Sequence, residues 1–265
     1  MEIRSGEAGS GIRHIAALGA SFASGPGIRP MAVRSAGRSR VNYPSLLAAR
    51  LGARLTDLTV SGATTATVLD IPQRRLLRRF PPQIRGLPAD ADLVTVTAGG
   101  NDLDYIGSMT RHAIAARLAV SPVTRPASRR LRGSGVPVPT TADVERTADA
   151  LARIVDEVRR RATAARIVLV DYLPVLGPET KPTPDAPFSP DQIAAFRALA
   201  HRIAEAFARA AERTGADLLA VSAEEGHALG SAEPWVTGAH GRPPFHPNAA
   251  GMRAVADRLE RLLAV

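Results

Sequence analysis

The sequence predicts an α/β protein in which five parallel strands form a sheet covered by helices on both faces. Short apolar runs rich in β-branched residues alternate along the chain with longer segments of helical period, the pattern of strand–helix–strand crossovers. The strand-like runs are apolar almost throughout, as in strands buried on both faces. Glycine-containing polar blocks follow three of these runs, at the carboxyl edge where open parallel sheets hold ligands.

The first strand is expected over Ile12–Gly19, behind a polar segment, 1–12, expected to be flexible. Tyr43–Leu51 has helical spacing and stops near Gly52. Arg54–Val60 reads as the second strand, and Asp92–Ala98 (DLVTVTA) as a buried third. Over Asp143–Ala165 the residues Val144, Ala148, Leu151, Ile154, Val155 and Val158 recur at helical period. Arg166–Asp171 is the fourth strand, Pro190–Thr214 a long helix and Ala216–Val221 a short fifth strand. Pro247–Leu263 closes the chain as a helix, with Pro247 suited to its first turn. Two segments break the alternation. Ser121–Thr141 is rich in Pro, Arg, Ser and Gly, and Pro174–Pro190 carries six prolines. Loops of this length are functional covers or disordered insertions. The cluster Arg125, Arg129, Arg130 and Arg132 reads as a solvated loop, with an anion site as the alternative. Residues 13–265 are expected to form a single domain.

At 265 residues the chain can bury a large core without disulfides or metals. The absence of cysteine excludes disulfides, thiolate zinc sites, iron–sulfur clusters and thiol nucleophiles. The net charge of +9 invites a nucleic-acid reading, but only Lys181 is lysine and the other 33 basic residues are arginine, the mark of GC-rich codon usage. Aromatic residues make up 4%, too few for base-stacking platforms, so no nucleic-acid partner is expected. No apolar run approaches the roughly 20 residues of a membrane span. Met1–Arg13 lacks the apolar stretch of an export signal. A cytoplasmic location is therefore expected, with secretion the alternative if a leader has been removed.

Four blocks carry chemistry. Ser21, in Gly19-Ala20-Ser21-Phe22-Ala23-Ser24-Gly25, directly follows the first strand and faces the ligand crevice; its bland alternative is a helix cap. Ser61-Gly62-Ala63-Thr64-Thr65 follows the second strand, and Gly62 can present its N–H close to a ligand. Gly99-Gly100-Asn101-Asp102 follows the third strand, where the Asn101 amide can stabilise an oxyanion. Pro244-Phe245-His246-Pro247-Asn248 precedes the last helix and offers an imidazole as general base. The other histidines, His14, His112, His201, His227 and His240, show no metal-ligand spacing.

Serine, glycine, asparagine and histidine in this order resemble the four blocks of the SGNH hydrolase superfamily, the GDSL esterases and lipases, and most closely its lipase-like actinobacterial branch. The resemblance runs from about Arg13 to the C-terminus. It implies a flavodoxin-like α/β/α sandwich with a five-stranded parallel sheet, and a carboxylic-ester hydrolase that uses neither metal nor cofactor on a small acyl ester. It assigns Ser21 as nucleophile, His246 as base, and the Ser21 and Gly62 N–H groups with the Asn101 amide as oxyanion hole. The sequence departs from the family twice. Ala20 stands where the family has an acid, and Pro243 stands where it has the aspartate that orients the histidine. The Pro243 carbonyl is therefore expected to hold the His246 ring, with Asp217 or Glu233 as the alternative. Phe22, Ile106 and Trp235, with Met109, are candidates for the acyl pocket, core packing being the plainer reading. A carbohydrate deacetylase, thioesterase or acyltransferase would use the same four blocks, and a non-catalytic binding protein could be built on the same scaffold. Acyl length, alcohol portion and oligomeric state stay open at this level.

Overall fold

The computed structural model describes residues 11–133 and 135–264. Most of the expected flexible segment, residues 1–10, lies outside the described residues. The elements in chain order are β1 (His14–Gly19), α1 (Ser21–Ser24), β2 (Met31–Val33), β3 (Arg38–Ser39), α2 (Tyr43–Leu51), β4 (Arg54–Asp57), α3 (Thr65–Leu69), β5 (Gln73–Arg75), β6 (Arg78–Phe80), β7 (Leu93–Thr97), α4 (Tyr105–Leu118), α5 (Arg125–Arg132), α6 (Thr141–Arg161), β8 (Arg166–Val170), α7 (Pro190–Thr214), β9 (Asp217–Leu219) and α8 (Ala249–Leu263).

The main sheet has the order β4-β1-β7-β8-β9, and every pairing in it is parallel. Ala16 pairs with Thr56 on one side and Val94 on the other, so β1 is an interior strand, and it is buried along its whole length. Helices α2 and α8 pack together over one face, and α3, α6 and α7 form a second packed group over the other. This is the expected five-stranded α/β/α architecture. The small ribbons β2–β3 and β5–β6 stand outside it.

Local chemistry sets the helix ends. The side chains of Thr140 and Ser189 each take the backbone N–H three residues on, while Asp143 and Gln192 reach back, so α6 and α7 both start in capping boxes. Helix α8 is capped by Asn248, whose side chain accepts from the Gly251 N–H at 3.0 Å. Pro247 therefore lies ahead of the cap and not in the first turn.

Both irregular segments turn out to be built structure. Ser121–Thr141 contains α5, pinned to α4 where the buried Ser128 hydroxyl donates to the Ala115 carbonyl at 2.7 Å. The proline-rich stretch packs Ala186 and Phe188 into the core, and Phe188 meets Phe245 with ring centroids 5.4 Å apart. That stretch thus buttresses the residue next to His246 and is not a disordered insertion. Lys181 lies exposed within it.

Candidate active site

The chain leaves β1 for β4 on one side and returns to β7 on the other, so the strand order reverses at β1. Loops at such a point splay apart and open a crevice at the carboxyl edge. Ser21 stands there as the first residue of α1, only 6% exposed. Gly19 ends β1 with φ of 142°, and a Cβ at that position would collide with the Thr97 carbonyl. Only glycine lets β1 run so close to β7 before turning. Ala20, where the family has an acid, is buried and anchors the turn by its backbone alone, donating to Thr97 O at 2.8 Å. Gln83 clamps the same turn from the other side: the Gly19 N–H donates to its Oε1 at 2.7 Å, and its Nε2 donates to the Gly19 carbonyl at 3.0 Å.

The second and third blocks are tied to each other. Asn101 Nδ2 donates to the Ala63 carbonyl at 2.7 Å, and Asp102 accepts from the Thr65 N–H at 3.1 Å and the Thr65 hydroxyl at 2.5 Å. One Asn101 N–H is thus engaged, and its second remains as a donor. Gly100 donates its N–H to the Tyr172 hydroxyl at 3.0 Å, and a Cβ there would approach the Tyr172 ring to 2.7 Å. Gly62 has φ of 84°. Among the described residues no acceptor takes the N–H of Ser21 or of Gly62.

The histidine loop differs from its expectation in one respect. His246 Nδ1 lies 2.6 Å from the carbonyl of Pro244, not of Pro243. Phe245 adopts φ of 59°, which folds the chain back so that the carbonyl two residues before the ring meets Nδ1. The Pro243 carbonyl is taken by the Thr237 hydroxyl at 2.9 Å. Neither alternative carboxylate is hydrogen-bonded to His246: Asp217 pairs with Arg166 at 2.6 Å, and Glu233 is exposed. A carbonyl only accepts, so Nδ1 carries the proton and Nε2 keeps its lone pair, the tautomer a base requires. Burial pushes the His246 pKa down to about 4, with the Pro244 carbonyl pulling the other way. The ring rests against that of Phe22, the residue after Ser21, with centroids 5.8 Å apart. Ser21 and His246 side chains make no hydrogen bond with each other here; such bonds commonly tighten only when substrate is present.

A cavity of about 1020 Å³ opens at His246, walled by Ser61, Pro243 and the four arginines Arg29, Arg34, Arg75 and Arg242, with no carboxylate in its lining. His246 is the one predicted catalytic side chain in that wall; Ser21, Gly62 and Asn101 are not part of it, and neither are Phe22, Ile106 and Trp235. Trp235 is held elsewhere, stacked on His227 at 3.6 Å with Arg258 over its ring. Phe22 packs on Tyr172, and Ile106 and Met109 are buried in the core. Among the described residues no group of three or more His, Asp or Glu side chains could hold a metal ion, and no helix is long and apolar enough to cross a membrane.

Sequence reasoning missed Gln83, Thr237, Tyr172 and the Asp102–Thr65 pair. Only Asp102 carried a signal, by adjoining Asn101; the others act across loops that are distant in the chain.

A five-stranded, all-parallel sheet between two layers of helices defines the class of the protein as an α/β/α fold. The sequence pattern of the GDSL-like lipase/acylhydrolase family matches residues 17–254. Lipase 2 of Streptomyces coelicolor is 33% identical, covering 94% of this chain and 85% of the relative. Two solved structures superpose along nearly all of this chain. The extracellular lipase of Streptomyces rimosus gives a TM-score of 0.70 at 26% identity, covering 94% of this chain and 99% of that one. Phospholipase A1 of Streptomyces albidoflavus gives 0.71 at 22%, with the same coverage. The chain belongs to the GDSL-like lipase/acylhydrolase family, within the SGNH hydrolases, and is a carboxylic-ester hydrolase.

Proposed function

We propose that ester hydrolysis runs through an acyl-enzyme on Ser21 with His246 as general base. The observation that supports this is the His246 Nδ1–H fixed on the Pro244 carbonyl, which leaves Nε2 free to take a proton. Ser21 Oγ attacks the acyl carbonyl as its proton passes to Nε2. The oxyanion is met by the N–H groups of Ser21 and Gly62 and by the second N–H of Asn101. His246 then protonates the leaving alcohol, and water, activated by the same ring, releases the acid. The carbonyl partner gives the imidazolium less support than a carboxylate would, and the dyad works without a third acidic member.

The arginine-lined cavity at His246 favours esters that carry negative charge. A deacetylase, thioesterase or acyltransferase would share the first half of the reaction and differ in the group bound there. Residues 13–265 act as one catalytic unit in this reading. The cytoplasmic location stands as a proposal beside secretion, to be decided by fractionating the producing cells.

The test is Ser21→Ala, assayed on nitrophenyl esters of graded chain length. Turnover is expected to fall by about 10⁴-fold or more, with the fold retained. An unchanged rate in that variant refutes the assignment.

A further inference from the structure

We propose that the β5–β6 hairpin is a docking element for an anionic lipid surface, which brings the mouth of the arginine-lined cavity against that surface. The hairpin reads Gln73-Arg74-Arg75-Leu76-Leu77-Arg78-Arg79-Phe80, with four arginines and no acid. Its two-residue turn is Leu76-Leu77, and these side chains are 75% and 104% exposed. Leu76 has φ of 53°. That conformation in a hairpin turn favours asparagine or glycine, so an exposed leucine there is costly for the free protein. The register places Arg74 opposite Arg79 and Arg75 opposite Arg78. Like charges directly across a ribbon repel, and a two-stranded ribbon has little stability to spare. An apolar tip ringed by unopposed guanidinium groups is matched by a surface that offers acyl chains to the tip and anionic headgroups to the ring.

The hairpin is fastened to the site. Gln73 Nε2 donates to the Ser61 carbonyl at 3.0 Å, next to Gly62. Arg75 donates to the Ser35 carbonyl at 2.8 Å and lines the cavity. Docking stands on this geometry and does not require the Ser21 mechanism.

The experiment measures sedimentation with vesicles of ether-linked lipids, which have no carboxylic ester to cleave. One set is phosphatidylcholine alone and the other contains about 30% phosphatidylglycerol, a level at which a polybasic element responds strongly. Wild type is expected to bind the anionic vesicles at least about tenfold more tightly than the neutral ones, and more weakly as salt rises. Leu76→Asn with Leu77→Gly keeps the turn geometry and removes the apolar tip; binding is expected to fall at least about tenfold. Arg74→Gln, Arg78→Gln and Arg79→Gln together are expected to cost about 100-fold, from about fivefold per arginine. Turnover of a soluble nitrophenyl ester by the leucine variant is expected to stay within about twofold of wild type, because neither leucine lines the cavity. Absence of vesicle binding by wild type, or equal binding by the leucine variant, overturns the proposal. Equal affinity for duplex DNA in wild type and leucine variant, at the strength seen for vesicles, overturns it in favour of a generic polyanion site. Loss of self-association in place of loss of vesicle binding overturns it in favour of a second copy of the chain. A failed vesicle arm leaves the serine reading intact, just as an active Ser21→Ala protein would leave docking intact.

Discussion

The pH dependence of the reaction tests the histidine loop most directly. A general base must be unprotonated to take the serine proton. Burial holds His246 down to about 4, and its only hydrogen-bond partner at Nδ1 is a neutral carbonyl. An ordinary histidine, with pKa about 6.5, is only about 3% neutral near pH 5, whereas a ring at about 4 is about 90% neutral there. The free enzyme should therefore keep roughly thirtyfold more kcat/KM at about pH 5 than a hydrolase with an ordinary histidine base. The assay is kcat/KM for a nitrophenyl ester from about pH 3.5 to 8 at constant ionic strength, quenched and read in alkali so that the product's own titration does not intrude. Fluorescence at each pH confirms that the protein is folded. Acidification itself works against the fold at this site: the unfolded ring binds its proton first, so stability is lost as pH falls from about 6.5 towards 4. Activity loss in that range must therefore be shown to be reversible. An acid limb centred near 6.5 in a folded protein refutes the reasoning, because it would mean that the working ring is solvated or paired with a carboxylate.

Two further outcomes are expected. Asn101→Ala should lower kcat by about 10²–10³-fold with a smaller change in KM, the signature of a lost oxyanion donor; a loss below about tenfold in steady-state kinetics removes Asn101 from that role. Asp171, buried at the end of β8 with its carboxylate on the Ser222 N–H at 2.9 Å and hydroxyl at 2.5 Å, has its pKa pushed up to about 6 by burial, from an ordinary 3.8. Between those values the folded chain holds a proton that the unfolded chain has released, so stability falls as pH rises through the window. Asp171→Asn lacks that slope. In denaturant titrations its stability relative to wild type should improve by up to about 3 kcal/mol from about pH 4 to 7. His246 contributes the same opposite slope to both proteins and cancels. A pH-independent difference refutes the buried-acid account.

The alternation of apolar runs and helical periods made the sheet legible, because buried parallel strands leave a local mark. Each expected strand is found, trimmed by one to three residues at its ends where pairing stops. The order of Ser21, Gly62, Asn101 and His246 was legible for the same reason: each follows or precedes a recognisable element. What the sequence hid is set by tertiary geometry. The choice of Pro244 over Pro243 depends on the left-handed turn at Phe245, which no bulky residue announces. Gln83 reaches Gly19 across 64 positions of chain. Helix α5 formed in a segment whose proline and glycine content argued against it, because Ser128 found a partner on α4. The setting of Trp235 was equally hidden: its ring stacks on His227 and lies under Arg258, partners that no local pattern announces.

The near-total replacement of lysine by arginine has a practical consequence. Lys181, exposed in the proline-rich stretch, is the only side-chain amine in the molecule. Amine-directed coupling therefore addresses a single side-chain position, so a resin or dye attached there would present every copy in one orientation. Complete acetylation at that position would change the side-chain charge by one and leave every guanidinium group in place. Because guanidinium groups hold their protons into strong alkali, the surface would keep its positive field in buffers that neutralise lysine-rich proteins.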